Sequence, residues 1–178
     1  MAQTFLATAN GIPFTATNQS MLCVFNGAGS GKILKVYRVW LENCQVTALT
    51  GGNNILTLSR ITAATASNWT IAPVSLDTTN TSLPAQVIAG AKFTVTTSDI
   101  FRRMMWSNDE PTIATGTIDE FQLFAPYTYM LDTSYTDANV IPIVCREGQG
   151  VSIQNVGFSA TAPANAGLVD CFIEFTSE

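Results

Sequence analysis

Gly27-Ala28-Gly29-Ser30-Gly31-Lys32 is the stretch whose residue types come nearest to a known chemistry, the cradling of a phosphate by backbone N–H groups. It departs from that pattern at both ends. Asn26 occupies the first glycine position, and Ile33 stands where Ser or Thr would ligate magnesium. Its flanks read as strands, so no helix N-terminus would face an anion. The reading is a flexible hairpin loop. Asp109-Glu110 and Asp119-Glu120 offer paired carboxylates of the kind glycosidases use, but neighbours on a strand project to opposite faces, so neither pair converges unaided. Asp132, Asp137 and Asn139 could present oxygens to calcium; their spacing fits no calcium loop, and surface turn residues are the reading. The chain has no histidine, which removes the commonest general base and the commonest metal ligand. No Ser or Cys then has an evident base partner. Neither catalysis nor a metal or cofactor is expected.

Cys23, Cys44, Cys145 and Cys171 each lie in an apolar, strand-like run, without CxxC spacing, so zinc is not expected. An even count permits disulfides. The start, Met1-Ala2-Gln3-Thr4-Phe5, has neither a basic segment nor an apolar core, so no secretory signal is expected and four buried thiols are the simpler reading. Asn18-Gln19-Ser20, Asn68-Trp69-Thr70 and Asn80-Thr81-Ser82 fit the glycosylation sequon, as chance allows in so Asn- and Thr-rich a chain.

The elements that must position these residues are β-strands. The 178 residues suit one domain, residues 1–178. Charged residues make up 12%, about half the usual share of roughly 25%. A surface so poor in charge suits a protein packed against neighbours. The net charge of −5 and the scattered Lys and Arg argue against nucleic acid, and no apolar run reaches the roughly 20 residues of a membrane helix.

The chain is organised around Lys32 to Ile61. Ile33 to Leu41 and Ile55 to Ile61 are dense in β-branched and aromatic residues, and Thr50-Gly51-Gly52-Asn53-Asn54 breaks them. This reads as a long central hairpin that sets Arg60 opposite Glu42. Gln3 to Ala9 reads as an edge strand or mobile arm, Asn10-Gly11 as a turn, and Ser20 to Asn26 as a strand. Asp77 is placed to accept from the backbone of Thr79 or Asn80. Ile100 to Trp106, after Ser98-Asp99, reads as a short helix with Phe101, Met104 and Met105 on one face, or equally as a strand. With further strands over 118–125, 140–145, 151–156 and 168–175, the total is about ten short strands and almost no helix. The expected fold is all-β: a single antiparallel β-sandwich with jelly-roll connections.

Candidate contact residues follow from exposure arguments. Trp40 reads as core, whereas Trp69 and Trp106 border polar loops and read as surface. Met104, Met105 and Trp106 suit either a subunit interface or the core.

Three stretches, taken together and in order, resemble virion structural proteins of tailed bacteriophages. They are Gly31 to Trp40; Ala72 to Asn80 with Leu83-Pro84-Ala85; and Ile141 to Ile153, where a strand, the turn Glu147-Gly148-Gln149-Gly150 and another strand precede the last strand, Phe172-Ile173-Glu174-Phe175. The resemblance implies a capsid decoration (cement) or minor head protein. Such a protein would be made in the host cytoplasm and located on the capsid surface, with the major capsid protein as partner and a homo-oligomer, a closed trimer, as assembly. No site residue carries over from the family; the contacts expected in this chain are residues 1–17 as a docking arm, with Phe5 and Phe14, the loop at Gly29, and Phe101, Met104, Met105 and Trp106. A tail or fibre domain that holds host glycan is the alternative.

Overall fold

The strands arise from alternation. In Leu34–Asn43 the apolar Leu34, Val36, Val39 and Leu41 are buried, and Lys35, Tyr37, Arg38 and Trp40 between them are half-buried on the other face. One apolar face per strand demands a second sheet against it. In the computed structural model, which describes residues 2–13, 19–44, 53–107, 127–133, 141–158 and 168–178, this need is met by two packed antiparallel sheets. The strands are β1 (Gln3–Pro13), β2 (Ser20–Asn26), β3 (Leu34–Asn43), β4 (Asn53–Thr65), β5 (Thr70–Ile71), β6 (Val74–Ser75), β7 (Val87–Gly90), β8 (Thr94–Ser107), β9 (Tyr127–Asp132), β10 (Ile143–Cys145), β11 (Gln149–Phe158) and β12 (Leu168–Ser177). The strand expected over 118–125 lies outside the described residues.

The first sheet runs β10-β3-β12-β1-β6, with β9 beside β10 along the same edge of β3; the second runs β5-β7-β2-β11-β4-β8. Set aside the short β5, β6 and β7, and count β9 and β10 as one interrupted strand. Eight strands remain, and they alternate between sheets in the order first-eighth-third-sixth and second-seventh-fourth-fifth. That is a jelly roll of two Greek keys. The segment from Ala66 to Phe93 is the addition to it: β5 and β7 extend the second sheet beyond β2, and β6 caps β1 at Phe5 and Leu6. The all-β sandwich with jelly-roll connections is thus the architecture found.

The expected central hairpin is not. β3 and β4 lie in opposite sheets, so the apolar run Lys32 to Ile61 crosses the sandwich instead of folding back on itself. A run apolar on both faces identifies buried strands but cannot name their neighbours. Arg60 therefore does not face Glu42. Its Nε lies 3.6 Å from the Asp99 carboxylate, and its Nη1 donates to the Val144 carbonyl at 2.9 Å. Glu42 accepts from the Trp40 indole N–H at 3.1 Å. The chain's local hairpin partners are instead β4 and β8, paired from Asn53–Ser107 to Thr65–Thr94.

Three smaller readings are corrected or decided. Of residues 1–17, expected as a docking arm, 3–13 form a strand paired with β12 from Gln3–Ser177 to Pro13–Leu168, interrupted at Asn10 and Gly11; residues 1 and 14–17 lie outside the described residues. Asn10-Gly11 is a bulge in that strand: Gly11 takes φ +61° and its N–H donates to the Asp170 carboxylate at 2.6 Å, so the chain bends without turning back. Ile100 to Trp106 is the end of β8 and not a helix, because pairing with β4 satisfies its backbone.

The main core fills the space between the sheets, with Phe5 stacked on Phe175 at 5.7 Å. A second, smaller cluster lies on the opposite face of the β2 sheet. Cys23, Ile61 and Phe93 are fully buried there, with Phe25, Ala64, Ile88 and Val95 around them. Bulges in β4 and β8 curl the far end of that sheet back until Thr94 bridges to Gln19 and the Ser20 N–H donates to the Phe93 carbonyl at 3.0 Å. Gly150 is the tight point of this curl: a Cβ there would meet the Val24 carbonyl and the Phe25 Cα of the neighbouring strand, and Ile61 on the other side. Gly150→Ala should destabilise the fold by about 1–3 kcal/mol in urea denaturation. Gly157→Ala, where an added Cβ meets nothing within 4 Å, should be neutral or stabilising by up to about 1 kcal/mol.

Candidate functional site

The glycine loop shows how the sequence motif is used. Gly29 and Gly31 adopt φ +78° and +65°, which turns their N–H groups outward together. Those two N–H groups donate to Glu147, Gly29 to Oε2 at 3.1 Å and Gly31 to Oε1 at 2.8 Å. The loop thus does bind an anion, the chain's own carboxylate. The buried Asn26 holds it from beneath: its Nδ2 donates to the carbonyls of Lys32 and Cys145, and its Oδ1 accepts from Ser30. The expected flexible loop is therefore a clasped one. The two N–H bonds hold the Glu147 carboxyl below the usual glutamate range.

The thiols offer no nucleophile at neutral pH. All four are free. Burial pushes Cys23 up to about 12 and Cys145 to about 11; for Cys44, at about 11, burial is joined by the neighbouring Asp170. Of the calcium candidates, Asp132 pairs with Arg38 at 3.3 Å, and Asp137 and Asn139 lie outside the described residues. Both glycosidase-like carboxylate pairs lie outside them as well.

The proposed contact residues divide. Phe5 and Trp106 are 2% and 8% exposed and belong to the core. Met104 is half-buried against it. Phe14 lies outside the described residues. Gly29 is exposed at the clasped loop. Phe101 and Met105, at 41% and 66% exposed, form a surface patch on β8 with Ile100, and the exposed Arg103 stands between them. The Arg60 guanidinium sits 5.1 Å from the Phe101 ring centroid.

The tryptophans also divide, though not as expected. Trp40, read as core, stands half-buried on the outer face of its sheet, stacked on Phe172 at 4.8 Å with Tyr129 beyond it. Trp69 is 42% exposed, with the Lys92 ammonium 3.9 Å above its ring. Lys92 is the one non-glycine position at positive φ among the described residues, held there by its N–H bond to the Ser20 carbonyl.

Reasoning from sequence missed a cleft of 540 Å³ between β1–β6 and β5–β7, inside the added segment. Ile71, Pro73, Leu83, Val87 and Ala89 line it over the buried Phe5. It also missed three exposed aliphatic side chains, Val74, Leu76 and Ile141. The available signal was Pro73, Pro84 and Pro142, which mark chain that leaves the regular ladders. Comparison of the chain with protein-family models, with curated proteins and with solved structures finds no match.

The Glu147 clasp makes stability depend on pH. Because its folded pKa is depressed, Glu147 contributes stability above the unfolded glutamate value of about 4.3, and that contribution is lost as pH falls through the folded value. Glu147→Gln should lower the urea midpoint at pH 7, and the gap to wild type should close under acid. On β4, the hydroxyls of Thr57 and Ser59 are buried without a partner. Thr57→Val should raise stability by about 1 kcal/mol in the same assay.

Proposed function

We propose that this chain is a non-enzymatic structural protein of a virion, of the capsid decoration or cement type. It binds the outer surface of the capsid, where major capsid subunits meet, and stiffens the head against internal pressure. The observation that carries this reading is the strand order: two Greek keys closed into a jelly roll, an architecture frequent among viral capsid and lectin domains. The resemblance of Gly31 to Trp40, Ala72 to Asn80 and Ile141 to Ile153 to phage virion proteins supports it. So does the charge-poor surface, which carries a patch of Ile100, Phe101 and Met105 beside Arg103. Aromatic residues, Met and Arg are the residue types enriched where proteins meet.

A second reading has one observation in its favour. Trp69, exposed beside Lys92, could stack on a sugar ring, as a fibre domain that holds host glycan would require.

Quantitative mass spectrometry of purified particles, with the major capsid protein as the internal standard, separates the two. Copies near one per capsid subunit are expected for decoration. A few to a few dozen would overturn that reading in favour of a tail or fibre position. A Trp69→Ala variant that loses glycan binding would then support the second.

A further inference from the structure

Asparagine followed by glycine occurs twice in the chain, at Asn10-Gly11 and at Asn26-Gly27. With no side chain on the second residue, its backbone nitrogen is unshielded and can attack the side-chain amide of the asparagine before it. The fold treats the two pairs in opposite ways. Asn26 is fully buried, its Nδ2 donates to the Lys32 and Cys145 carbonyls, and its Oδ1 accepts from Ser30. The Gly27 N–H is held by the Gln86 carbonyl at 2.9 Å. Both reacting groups of that pair are therefore fixed in place and shut away from water.

Asn10 is exposed, and its side chain makes no hydrogen bond among the described residues. It sits in the bulge where the pairing of β1 with β12 skips from Ala9 to Ile12. Gly11 takes φ +61°, and a Cβ built on it would meet nothing within 4 Å, so the space beside it is open. The Gly11 N–H does have a partner, and that partner is a carboxylate: Asp170 Oδ1 lies 2.6 Å from the nitrogen. That is within the reach, about 2.6–3.2 Å, of a general base on the proton it removes. A free side-chain amide, an unshielded nitrogen and a base are thus gathered at one exposed point of the strand.

We propose that Asn10 is a site of self-modification, converted by deamidation to aspartate and isoaspartate with Asp170 as the base. Asp170 takes the Gly11 proton as the nitrogen bonds to Asn10 Cγ. The Cγ–Nδ2 bond then breaks, and ammonia leaves with that proton, which regenerates the carboxylate. One water opens the resulting five-membered imide. Cleavage of the new N–Cγ bond gives aspartate; cleavage of the original peptide bond gives isoaspartate, with the main chain rerouted through the former side chain. The bulge already keeps residues 10 and 11 out of the ladder, so the rerouted chain breaks no β1–β12 pairing. Each conversion adds one negative charge to a chain of net charge −5. The inference does not depend on a virion role.

Peptide mapping by mass spectrometry tests it, on the full chain aged for weeks in neutral buffer, folded or in urea. In the folded protein Asn10 should convert at least about tenfold faster than Asn26, and faster than Asn10 itself does in urea. In urea the two pairs should convert alike. Asp170→Asn, with circular dichroism unchanged, should slow conversion at Asn10 at least about tenfold in the folded protein and leave the rate in urea as it was. An Asn10 that persists in the folded wild type, or that converts no faster there than in urea, would overturn the proposal, and that comparison stands even if the variant does not fold. A folded Asp170→Asn variant that converts at the wild-type rate would overturn the role of Asp170.

Discussion

Everything else in the structure depends on the pairing of the chain's two ends. β1 and β12 run antiparallel from Gln3–Ser177 to Pro13–Leu168, and both lie inside the first sheet. Without that pair β3 would have no neighbour on its β12 side, and Phe5 would have no Phe175 to stack on. The constraint is non-local in the extreme. Ordering a ladder between residues so far apart in sequence carries a loop-closure cost before any burial offsets it, which makes slow folding the natural consequence of this topology. The zipped ends also explain why residues 3–13 are not a free arm. Ala7, Ala9 and Ile12 are buried against the opposite sheet, and their apolar area would return to water if the strand peeled away.

The jelly-roll connectivity separates the molecule into regions with different jobs. At one end, the turn at Glu147 and the loop at Gly29 and Gly31 lock each other, so two inter-sheet crossings hold a single geometry. At the side, the added segment from Ala66 to Phe93 bridges the two sheets through β5 and β6, and leaves the cleft beneath it. On the edge of the second sheet, β8 displays Ile100, Phe101 and Met105 while its alternate residues Met104 and Trp106 reach the core. The bulges that curl β4 and β8 also twist this edge, which discourages indiscriminate strand addition to an apolar edge strand. Specific contact through side chains is what such an edge permits.

Much of the fold was legible because it depends on local pattern. Ser20 to Asn26 matches β2 residue for residue, and Asp77 accepts from the Thr79 N–H at 2.8 Å, as its turn chemistry requires. The errors share a cause. Gly51 and Gly52, which lie outside the described residues, interrupt the apolar run in the sequence, yet its two halves belong to different sheets. Likewise Trp40 lies in an apolar run and Trp106 borders a polar loop, yet which one faces the core depends on strand register. Trp106 points between the sheets, opposite Asn54, while Trp40 alternates with the buried Val39 and Leu41 and so stands outside. The contact candidates divided the same way: one step along β8 separates the buried Trp106 from the exposed Met105.

The amino-acid sequence by itself determined the class of structure: many strands, no charge-rich surface and no histidine. Side-chain alternation and turn residues act over a few positions, so a linear reading can follow them. Only the tertiary structure decided which strands are neighbours, that the glycine loop is closed on Glu147, and that the added segment encloses a cleft. Those outcomes rest on contacts between residues far apart in the chain. The arrangement buries one apolar face of most strands while pairing their backbones, and no local pattern records which strands become neighbours.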